Sequence, residues 1–226
     1  HLLSRRQRQM CIRDSRMKNI YGDYIWVLIR TATLRDKEGN PLKIVGVILD
    51  IDRAKKSEQQ LTTRASFDAL TELYNRETIE SQIDNEITLS EARKSEMAVL
   101  FIDVDDFKHY NDQYSHATGD QVLKFVARTI KGTVNEFGFA GRYGGDEFIA
   151  CIRNAEINDP TRAAQDIISK LEEGFECDGV HLTVSVSIGI SMIKDDYNTR
   201  VEYIIGKADD AMYSVKKNGK SNYAFI

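Results

Sequence analysis

The chain has 226 residues, of which 42% are hydrophobic and 29% are charged, the composition of a globular protein with one sizeable core. Its net charge of −4 excludes a surface built for bulk nucleic-acid binding, so an anionic substrate must be met by local cations or a metal. The three cysteines form no CxxC pair, which excludes a disulfide framework and predicts a reducing, cytoplasmic compartment. The apolar runs are too short to cross a bilayer, so we expect neither a membrane segment nor a nucleic-acid partner.

Residues 1–16 are basic and show no clear hydrophobic period. Within them, the segment Met10–Ser15 resembles the translation of a transposon end that is used in sequencing-library preparation. We therefore expect residues 1–16 to be a non-native or disordered leader outside the fold, with a natural helical leader as the alternative.

Residues 17–52 contain two predicted strands on either side of the turn-forming segment Asp36–Pro41. The stretch Tyr21–Ile51 resembles the C-terminal half of a PAS sensor domain, on its tryptophan-containing strand and its returning apolar strand. The resemblance implies a fragment that lacks the first half of such a domain and most of its ligand pocket.

Residues 53–66 are charged and contain neither glycine nor proline, which predicts a helical linker. Ala54, Ser57, Leu61 and Ala65 form a weak stripe at helical spacing. A solvated linker helix and a dimerising signalling helix both fit this stripe, because two turns of weak heptad do not distinguish them.

From residue 67 onward, hydrophobic periods of helical and strand type alternate. They predict helices at 77–94, 119–131, 160–173 and 201–217, and strands at 97–104, 137–143, 148–152, 181–193 and 222–226. This mixed order with a central hairpin predicts an α+β fold, in which helices flank a mostly antiparallel sheet.

Two glycines separate two short apolar stretches in the segment Arg142–Phe148. A Gly-Gly pair in this setting predicts a tight β-hairpin turn, with both glycines at central positions and at positive φ. Asp146 and Glu147 follow directly, and acids at such a turn suit a divalent cation that assists phosphate chemistry. On the turn alone, an ordinary hairpin with solvated acids is the alternative.

The predicted buried strand 97–104 ends in three acids, Asp103, Asp105 and Asp106. A strand that ends in this way places a carboxylate at the rim of a sheet, where Asp103 can meet the acids of the glycine turn around one ion. Magnesium prefers such hard oxygen ligands. The alternative is helix capping, and we expect Asp105 or Asp106 to cap the following helix.

Four separated motifs occur in order: Asp68–Arg76; Asp103–Lys108 with Asn111–Asp112; Arg142–Phe148; and Ala208–Asp209 with Ala211–Tyr213 and Lys216. On these motifs, residues 67–222 closely resemble the GGDEF family of diguanylate cyclases. The resemblance implies a palm-like (nucleotide-cyclase/ferredoxin-like) domain over residues 67–226. It also implies the reaction, in which two GTP molecules condense to cyclic di-GMP and release two pyrophosphates.

The family's catalytic residues correspond to Asp146 and Glu147, with Asp146 as the base that the resemblance implies. It implies a Mg²⁺ (or Mn²⁺) site formed by Asp103, the carbonyl of Val104, Asp146 and Glu147. Adjacent strand residues point to opposite faces, so the two turn acids can share a site only if the turn twists the backbone.

The resemblance also implies substrate contacts from a further set of residues: Phe107, Lys108, Asn111, His116, Asp120, Lys216 and Lys220. Asn111 and Asp120 match the guanine-reading pair, since a carboxylate accepts from the N1 and N2 hydrogens of guanine. The lysines match phosphate contacts, although Lys220 stands where arginine is more usual. Ser115, before His116, stands where the family usually has glycine. From the residues alone, each of these side chains also fits a turn, cap or solvated surface role.

Many members of the family carry an Arg-x-x-Asp product-inhibition site, and the matching positions here are Asn135 and Gly138. We therefore expect no inhibitory product site. The resemblance implies catalysis by a homodimer, because each domain binds one GTP, under the control of an N-terminal sensor. The alternatives are a catalytically degenerate GTP-binding signalling domain, a receptor for cyclic di-GMP, and a related cyclase that uses ATP.

Overall fold

The computed structural model describes residues 8–56, 66–156, 158–194 and 199–226. The chain divides into two compact units, residues 1–63 and 64–226. Among the described residues, no helix combines the length and the apolar character that a membrane crossing requires.

The smaller unit contains one antiparallel sheet in the order β1-β2-β3, formed by β1 (Arg8–Lys18), β2 (Tyr24–Arg35) and β3 (Pro41–Asp50). Strands β2 and β3 are the hairpin predicted from the sequence. Their turn is closed by Asp36, whose carboxylate accepts a hydrogen bond from the backbone N–H of Asn40 at 2.7 Å. Gly39 has a φ of 90°, which explains the glycine at this position.

Residues 8–16 are not disordered, because they lie in β1, and the non-native origin of residues 1–16 stays a prediction. This strand pairs with β2 without interruption, from Arg8 opposite Leu34 to Lys18 opposite Tyr24. A long strand such as β2 offers a row of unpaired backbone groups along its edge, and β1 satisfies them. Residues 1–7 lie outside the described part of the chain.

The helical linker predicted for residues 53–66 lies mostly outside the described residues, which resume at residue 66. Residues 52–56 are helical, as predicted for the start of the linker.

The larger unit contains a five-stranded sheet, a two-stranded hairpin and helices on both sheet faces. The helices are α1 (Arg76–Arg93), α2 (Phe107–Gln113), α3 (His116–Val134), α4 (Pro160–Glu173) and α5 (Val201–Lys217). The strands are β4 (Met97–Val104), β5 (Gly138–Gly144), β6 (Glu147–Arg153), β7 (Phe175–Cys177), β8 (Val180–Leu182), β9 (Val186–Ile193) and β10 (Asn222–Phe225). The main sheet has the order β10-β9-β4-β6-β5, and its pairs are antiparallel except for β10 with β9. This confirms the predicted α+β fold.

The central strand β4 is buried along its whole length, because helices cover both faces of the sheet. Its side chains alternate between two apolar clusters. Leu100 and Ile102 pack in the cluster that contains the buried faces of α3 and α4. Val99 and Phe101 pack in the cluster that contains α1 and α5. The carboxyl end of β4 is therefore a fixed point in the middle of the unit.

Some elements differ from the sequence prediction. Helix α2 was not in the predicted order, and the strand predicted at 181–193 is divided into β8 and β9. Strand β8 instead pairs with β7 through a turn at Asp178 and Gly179, whose φ angles of 50° and 79° are typical of a two-residue hairpin loop.

The N-terminal turn of the larger unit is joined to the glycine turn of the β5–β6 hairpin by Arg142. The Nη1 of Arg142 donates to both carboxylate oxygens of Asp68, at 3.2 and 3.3 Å. Its Nη2 donates to the carbonyl of Gly145 at 2.7 Å. Thr71 completes the arrangement, since both its backbone N–H and its hydroxyl donate to Asp68. One guanidinium group therefore fixes the turn that carries Asp146.

Helix α5 lies unusually close to strand β9 because Gly189 has no side chain. A Cβ atom built at Gly189 would be 1.9 Å from the carbonyl oxygen of Ala208 and 2.3 Å from the backbone nitrogen of Met212. The helix backbone therefore rests directly on the strand, and no side chain fits between them.

We predict that Gly189→Ala lowers the free energy of unfolding by about 3 kcal/mol, because the added methyl group must push α5 off the sheet. The measurement is equilibrium unfolding in urea. Gly206→Ala is the matched control, since Gly206 lies within α5 and nothing comes within 4 Å of a Cβ atom there. This control should raise stability by up to about 1 kcal/mol. Equal effects of the two variants would contradict the close contact.

We also predict that Asp68 stabilises the fold above about pH 4 and ceases to do so in stronger acid. Burial acts to raise the pKa of Asp68, but hydrogen bonds from Thr71 and the charge of Arg142 outweigh it and hold the pKa below 3.8. The native state therefore binds fewer protons than the unfolded chain, so this stabilisation is lost as pH falls through the native pKa.

The test compares Asp68→Asn with the wild type in urea unfolding between pH 7 and pH 3. The variant should be less stable by about 1 kcal/mol at pH 7, and the difference should shrink below pH 4. Asp84→Asn, at an exposed position of α1, is the control and should show no such trend. A difference that stays constant with pH would contradict the ionic role of Asp68.

Candidate active site

The carboxyl end of β4 brings together the residues predicted to form a metal site. Asp103 is 6% exposed and lies opposite Glu147 of β6 on one side and Ser187 of β9 on the other. The backbone N–H of Val104 donates to the carbonyl of Asp146 at 3.2 Å. Strand β4 and the neighbouring β5–β6 hairpin therefore place Asp103, Asp146 and Glu147 at one rim of the sheet.

The glycine turn differs from its predicted form. Neither Gly144 nor Gly145 is among the glycines with positive φ. Between Arg142 and Gly144 the register shifts, so Gly144 pairs with Glu147 and the connection consists of Gly145 and Asp146. Asp146 thus stands in the turn and Glu147 in the strand, and the alternation that would separate two adjacent strand residues does not apply.

The acids at this rim influence one another. Burial raises the pKa of Asp103 to about 6, and the charges of Asp146 and Glu147 add to the effect although Lys216 opposes it. Burial also raises the pKa of Glu147, with further contributions from Asp146 and Asp209. Both pKa values are raised because the carboxylates are partly buried and lie near one another. Partly buried negative charges in close proximity favour the binding of a cation.

Lys216, in the last turn of α5, supplies one cation to this rim. Its Nζ lies 2.6 Å from Oδ1 of Asp103, so the two groups form an ion pair. Apart from this lysine, Oδ1 has no polar partner among the described residues. A buried carboxylate oxygen in this state keeps lone pairs for another ligand.

The oxygen atoms at this rim are of the chemical types that bind a hard divalent cation. It offers carboxylate oxygens from Asp103, Asp146 and Glu147 and the carbonyl of Val104, which are the ligand types that Mg²⁺ and Mn²⁺ take. Within the described ranges, no three acidic, histidine or cysteine side chains are yet grouped closely enough to hold a metal.

The prediction that Asp105 or Asp106 caps the following helix is wrong. Asp106 occupies the N-cap position of α2 but makes no capping hydrogen bond through its side chain. Both its carboxylate oxygens instead lie 2.8 Å from Nζ of Lys220. Asp105 is buried and accepts hydrogen bonds from the hydroxyls of Ser185 and Ser187. Long-range partners outcompete the local cap in both cases.

The residues matched to guanine recognition lie where α2 meets α3. Gly119 is buried against α2, and a Cβ atom there would be 2.2 Å from Oδ1 of Asn111 and 3.3 Å from Cζ of Phe107. The next residue is Asp120, which is exposed in the first turns of α3. The missing side chain of Gly119 therefore leaves room for Asn111 beside the backbone that carries Asp120.

Ser115, the departure from the usual glycine, begins α3 as its N-cap. Its hydroxyl oxygen accepts a hydrogen bond from the backbone N–H of Thr118 at 3.1 Å. His116 follows as the first residue of α3, and Lys108 lies in the first turn of α2. Both side chains are exposed and have no hydrogen-bond or ion-pair partner in the part of the chain that the structure describes.

Gly138 of β5, matched to a residue of the family's product-inhibition site, leaves no space for the aspartate found there in other members. A Cβ atom at Gly138 would be 2.1 Å from the carbonyl oxygen of Cys151. Asn135 is exposed at the end of α3.

Sequence reasoning missed several residues that shape the site. Asp209 of α5 contributes to the raised pKa of Glu147. Its own pKa is raised by burial and by the adjacent Asp210. Ser185 and Ser187 hold Asp105, and Arg142 holds the glycine turn. Arg142 and Asp209 stand inside the motifs quoted above, which is the signal that could have identified them.

Known proteins support the assignment of the larger unit. Residues 65–222 match the family model described as "Diguanylate cyclase, GGDEF domain". The GGDEF domain of TpbB (also called YfiN) from Pseudomonas aeruginosa has a solved structure with a TM-score of 0.66 and 33% identity. That comparison covers 70% of this chain and 93% of the other.

Two curated relatives are similar in sequence. Signaling protein YkoW of Bacillus subtilis is 34% identical over 178 residues, which is 78% of this chain and 22% of that protein. Diguanylate cyclase A of Treponema denticola is 38% identical over 136 residues, which is 60% of this chain and 36% of that protein. The chain thus spans about a fifth to about a third of the length of these relatives. It belongs to the GGDEF-domain family of diguanylate cyclases.

Proposed function

We propose that this chain is a metal-dependent diguanylate cyclase, which condenses two GTP molecules into cyclic di-GMP and releases two pyrophosphates. The observation that carries the proposal is the rim of the sheet at the end of β4. There Asp103 lies opposite Glu147 and next to the turn residue Asp146. Lys216 and Lys220 form ion pairs with Asp103 and Asp106 at the same rim. Phosphoryl transfer typically uses acids that bind a divalent cation and lysines that bind the phosphates, and this rim carries both.

The reaction forms a bond between the 3′-oxygen of one GTP and the α-phosphorus of the other. The bond from that phosphorus to the pyrophosphate oxygen breaks, and the same step repeated in the opposite sense closes the ring. Asp146, with Glu147 beside it, takes the proton of the 3′-hydroxyl. Lys108, Lys216 and Lys220 bind the phosphates and offset the charge that collects on the departing pyrophosphate.

The cofactor in this proposal is Mg²⁺ or Mn²⁺, held by Asp103, the Val104 carbonyl, Asp146 and Glu147. When bound, it polarises the α-phosphate and offsets negative charge on the leaving group. The buried Oδ1 of Asp103, which among the described residues contacts only Lys216, and the crowding of carboxylates at this rim support such a site.

Guanine specificity is assigned to Asn111 and Asp120, with Phe107 and His116 beside the base. A carboxylate that accepts from N1–H and N2–H selects guanine, because adenine cannot supply both donors. The exposed Asp120 follows Gly119, whose missing side chain leaves room for Asn111, and this placement supports the role and favours GTP over ATP.

The active species in this proposal is a homodimer, since each domain binds one GTP and both must face each other. The smaller unit is interpreted as the C-terminal fragment of a PAS sensor that controls this pairing. No inhibitory product site is proposed, because Asn135 and the tightly packed Gly138 replace its charged residues. The cytoplasmic location stays a prediction from cysteine usage.

We predict that Asp146→Ala lowers the rate of cyclic di-GMP formation by about 10² to 10⁴, the usual loss for a missing proton acceptor. The purified chain is incubated at high concentration with GTP and Mg²⁺, and the product is identified by mass. Asp84→Ala, at an exposed position of α1, is the control and should keep full activity. Removing the metal with a chelator should abolish product in every variant.

A wild-type chain that binds GTP but forms no product would favour a degenerate signalling domain or a failed dimer. Fusion to a dimerising zipper separates the two, because only the failed dimer recovers activity. Product formation that survives Asp146→Ala would contradict the assigned site.

We predict that Asp120→Ser raises the KM for GTP by about 10- to 100-fold, because a hydrogen-bonded charge is lost. ITP lacks the N2 amino group, so the preference for GTP over ITP should narrow in this variant. The measurement is the ratio of kcat/KM for the two nucleotides. Asp166→Ser, at an exposed position of α4, is the control and should leave the ratio unchanged. An unchanged ratio in Asp120→Ser would remove Asp120 from base recognition.

A further inference from the structure

Three consecutive residues that follow the C-cap of α5, Asn218, adopt an unusual backbone conformation. Gly219, Lys220 and Ser221 have φ angles of 117°, 62° and 43°. Glycine takes such angles freely, but lysine and serine rarely do, and here they are adjacent. Two neighbouring non-glycine residues in the left-handed region persist only where surrounding contacts hold them. We refer to residues 219–221 as the left-handed turn.

A buried carboxylate makes the contact that reaches the left-handed turn from the sheet. Oδ2 of Asp105 accepts a hydrogen bond from the backbone N–H of Ser221 at 3.2 Å. The same oxygen accepts from the hydroxyl of Ser185, and Oδ1 accepts from the hydroxyl of Ser187 at 2.7 Å. Asp105 is 4% exposed, so the carboxylate is largely shielded from water, and its bond to Ser187 is buried. One side chain therefore joins the end of β4, the start of β9 and the left-handed turn.

Two further bonds complete the turn. The hydroxyl of Ser221 donates to Oε1 of Glu172 in α4 at 2.6 Å. The backbone N–H of Lys220 donates to the carbonyl of Val215 at 3.2 Å, in the manner of a helix C-terminal cap. Of these bonds, those of Ser221 tie the turn to other elements. The bond to Asp105 is partly buried, whereas the bond to Glu172 is exposed.

The left-handed turn aims the side chain of Lys220 back towards the end of β4. Its Nζ lies 2.8 Å from both carboxylate oxygens of Asp106, the residue that follows Asp105. Two adjacent acids therefore act on the left-handed turn. Asp105 binds its backbone at Ser221, and Asp106 pairs with the ammonium group of Lys220.

We propose that Asp105 is a positioning residue, which holds the left-handed turn and so fixes where Lys220 presents its ammonium group. The proposal rests on the proposed function in one respect, the contact of Lys220 with a substrate phosphate. Asp105 itself touches neither substrate nor metal in this proposal. Its task is to accept hydrogen bonds, and its negative charge is not required.

The kinetic test compares Asp105→Ala with Asp105→Asn in the full chain. The alanine variant should raise the KM for GTP about tenfold, the size typical of losing a bond that orients a charged group. The asparagine variant should stay within about threefold of the wild type. Its amide oxygen still accepts from Ser221 and Ser185, and its NH₂ group can donate to the hydroxyl of Ser187. A metal-binding role for Asp105 would make the two variants equally poor, and that result would overturn the proposal.

A double variant tests whether the effect passes through Lys220. Lys220→Ala alone should also raise the KM, and adding Asp105→Ala should raise it no further. Effects that multiply would mean that Asp105 acts by another route and would overturn the proposal.

Glu86→Ala is the matched control for a loss of stability. Glu86 is 3% exposed, and it pairs with Arg153 at 2.9 Å and Arg93 at 3.5 Å, well removed in the fold from the end of β4. This variant should lose thermal stability as Asp105→Ala does, while its KM for GTP stays unchanged. An equal rise in KM would reduce the role of Asp105 to general support of the fold.

Hydrogen–deuterium exchange supplies a readout that does not depend on activity. In Asp105→Ala, the backbone amides of residues 220–221 should exchange faster, while those of α5 stay protected. Unchanged exchange would overturn the proposal whatever the kinetics show. A wild-type chain without cyclic di-GMP synthesis would instead refute the proposed function, and exchange would still decide whether Asp105 holds the turn.

Should Asp105→Ala fail to fold, Ser185→Ala combined with Ser187→Ala replaces it. This pair keeps the acid but removes the hydroxyls that fix its orientation. It should speed exchange at residues 220–221 and raise the KM about threefold. The absence of both effects would count against the proposal.

Discussion

Crowded negative charge at the carboxyl end of β4 is the constraint that organises the site. Two unit charges about 4 Å apart repel by about 4 kcal/mol near a protein surface, so several acids in one place need cations or hydrogen bonds nearby. Each acid at this end of the strand is stabilised by different partners. Asp103 has the ammonium group of Lys216, Asp105 has serine donors and a backbone N–H, and Asp106 has Lys220. Helix α5 and the turn after it carry the two lysines that meet this need.

Sheet register turns this constraint into a fixed geometry. β4 is antiparallel to both of its neighbours, and Asp103 faces Glu147 on one side and Ser187 on the other. A slip of one residue would send Asp103 to the opposite face of the sheet and an apolar side chain to the rim. The two apolar clusters that flank β4 prevent that slip, because every residue of the strand is buried. The packing of the core therefore specifies which acids can meet.

Much of this arrangement could be predicted from the sequence. Strand 97–104 and helices 160–173 and 201–217 matched the structure because their hydrophobic periods are long and regular. The placement of Asp103 opposite Glu147 and beside the turn residue Asp146 followed from two motifs that end on neighbouring strands.

The partners of the acids could not be predicted. Local rules favoured Asp105 or Asp106 as a helix cap, but their partners are 80 to 116 residues away in the chain. Hydrophobic periodicity also did not predict the short helix α2, which depends on the packing of Asn111 against Gly119. It did not predict the φ angles of the glycine turn either, because these depend on a shifted register in β5.

The contact of α5 with Gly189 has a consequence for how this domain can change over evolutionary time. The same helix fills one apolar cluster with Ile204, Ile205, Ala208 and Met212 and holds Lys216 beside Asp103. Its depth on the sheet is set by a missing side chain in β9, so the position of the lysine is tied to the packing of the core. A mutation that lifts the helix would weaken the fold and withdraw the cation together. The position of Lys216 beside Asp103 and the stability of the domain therefore depend on the same helix packing. Substitutions that change this packing affect both together during evolution.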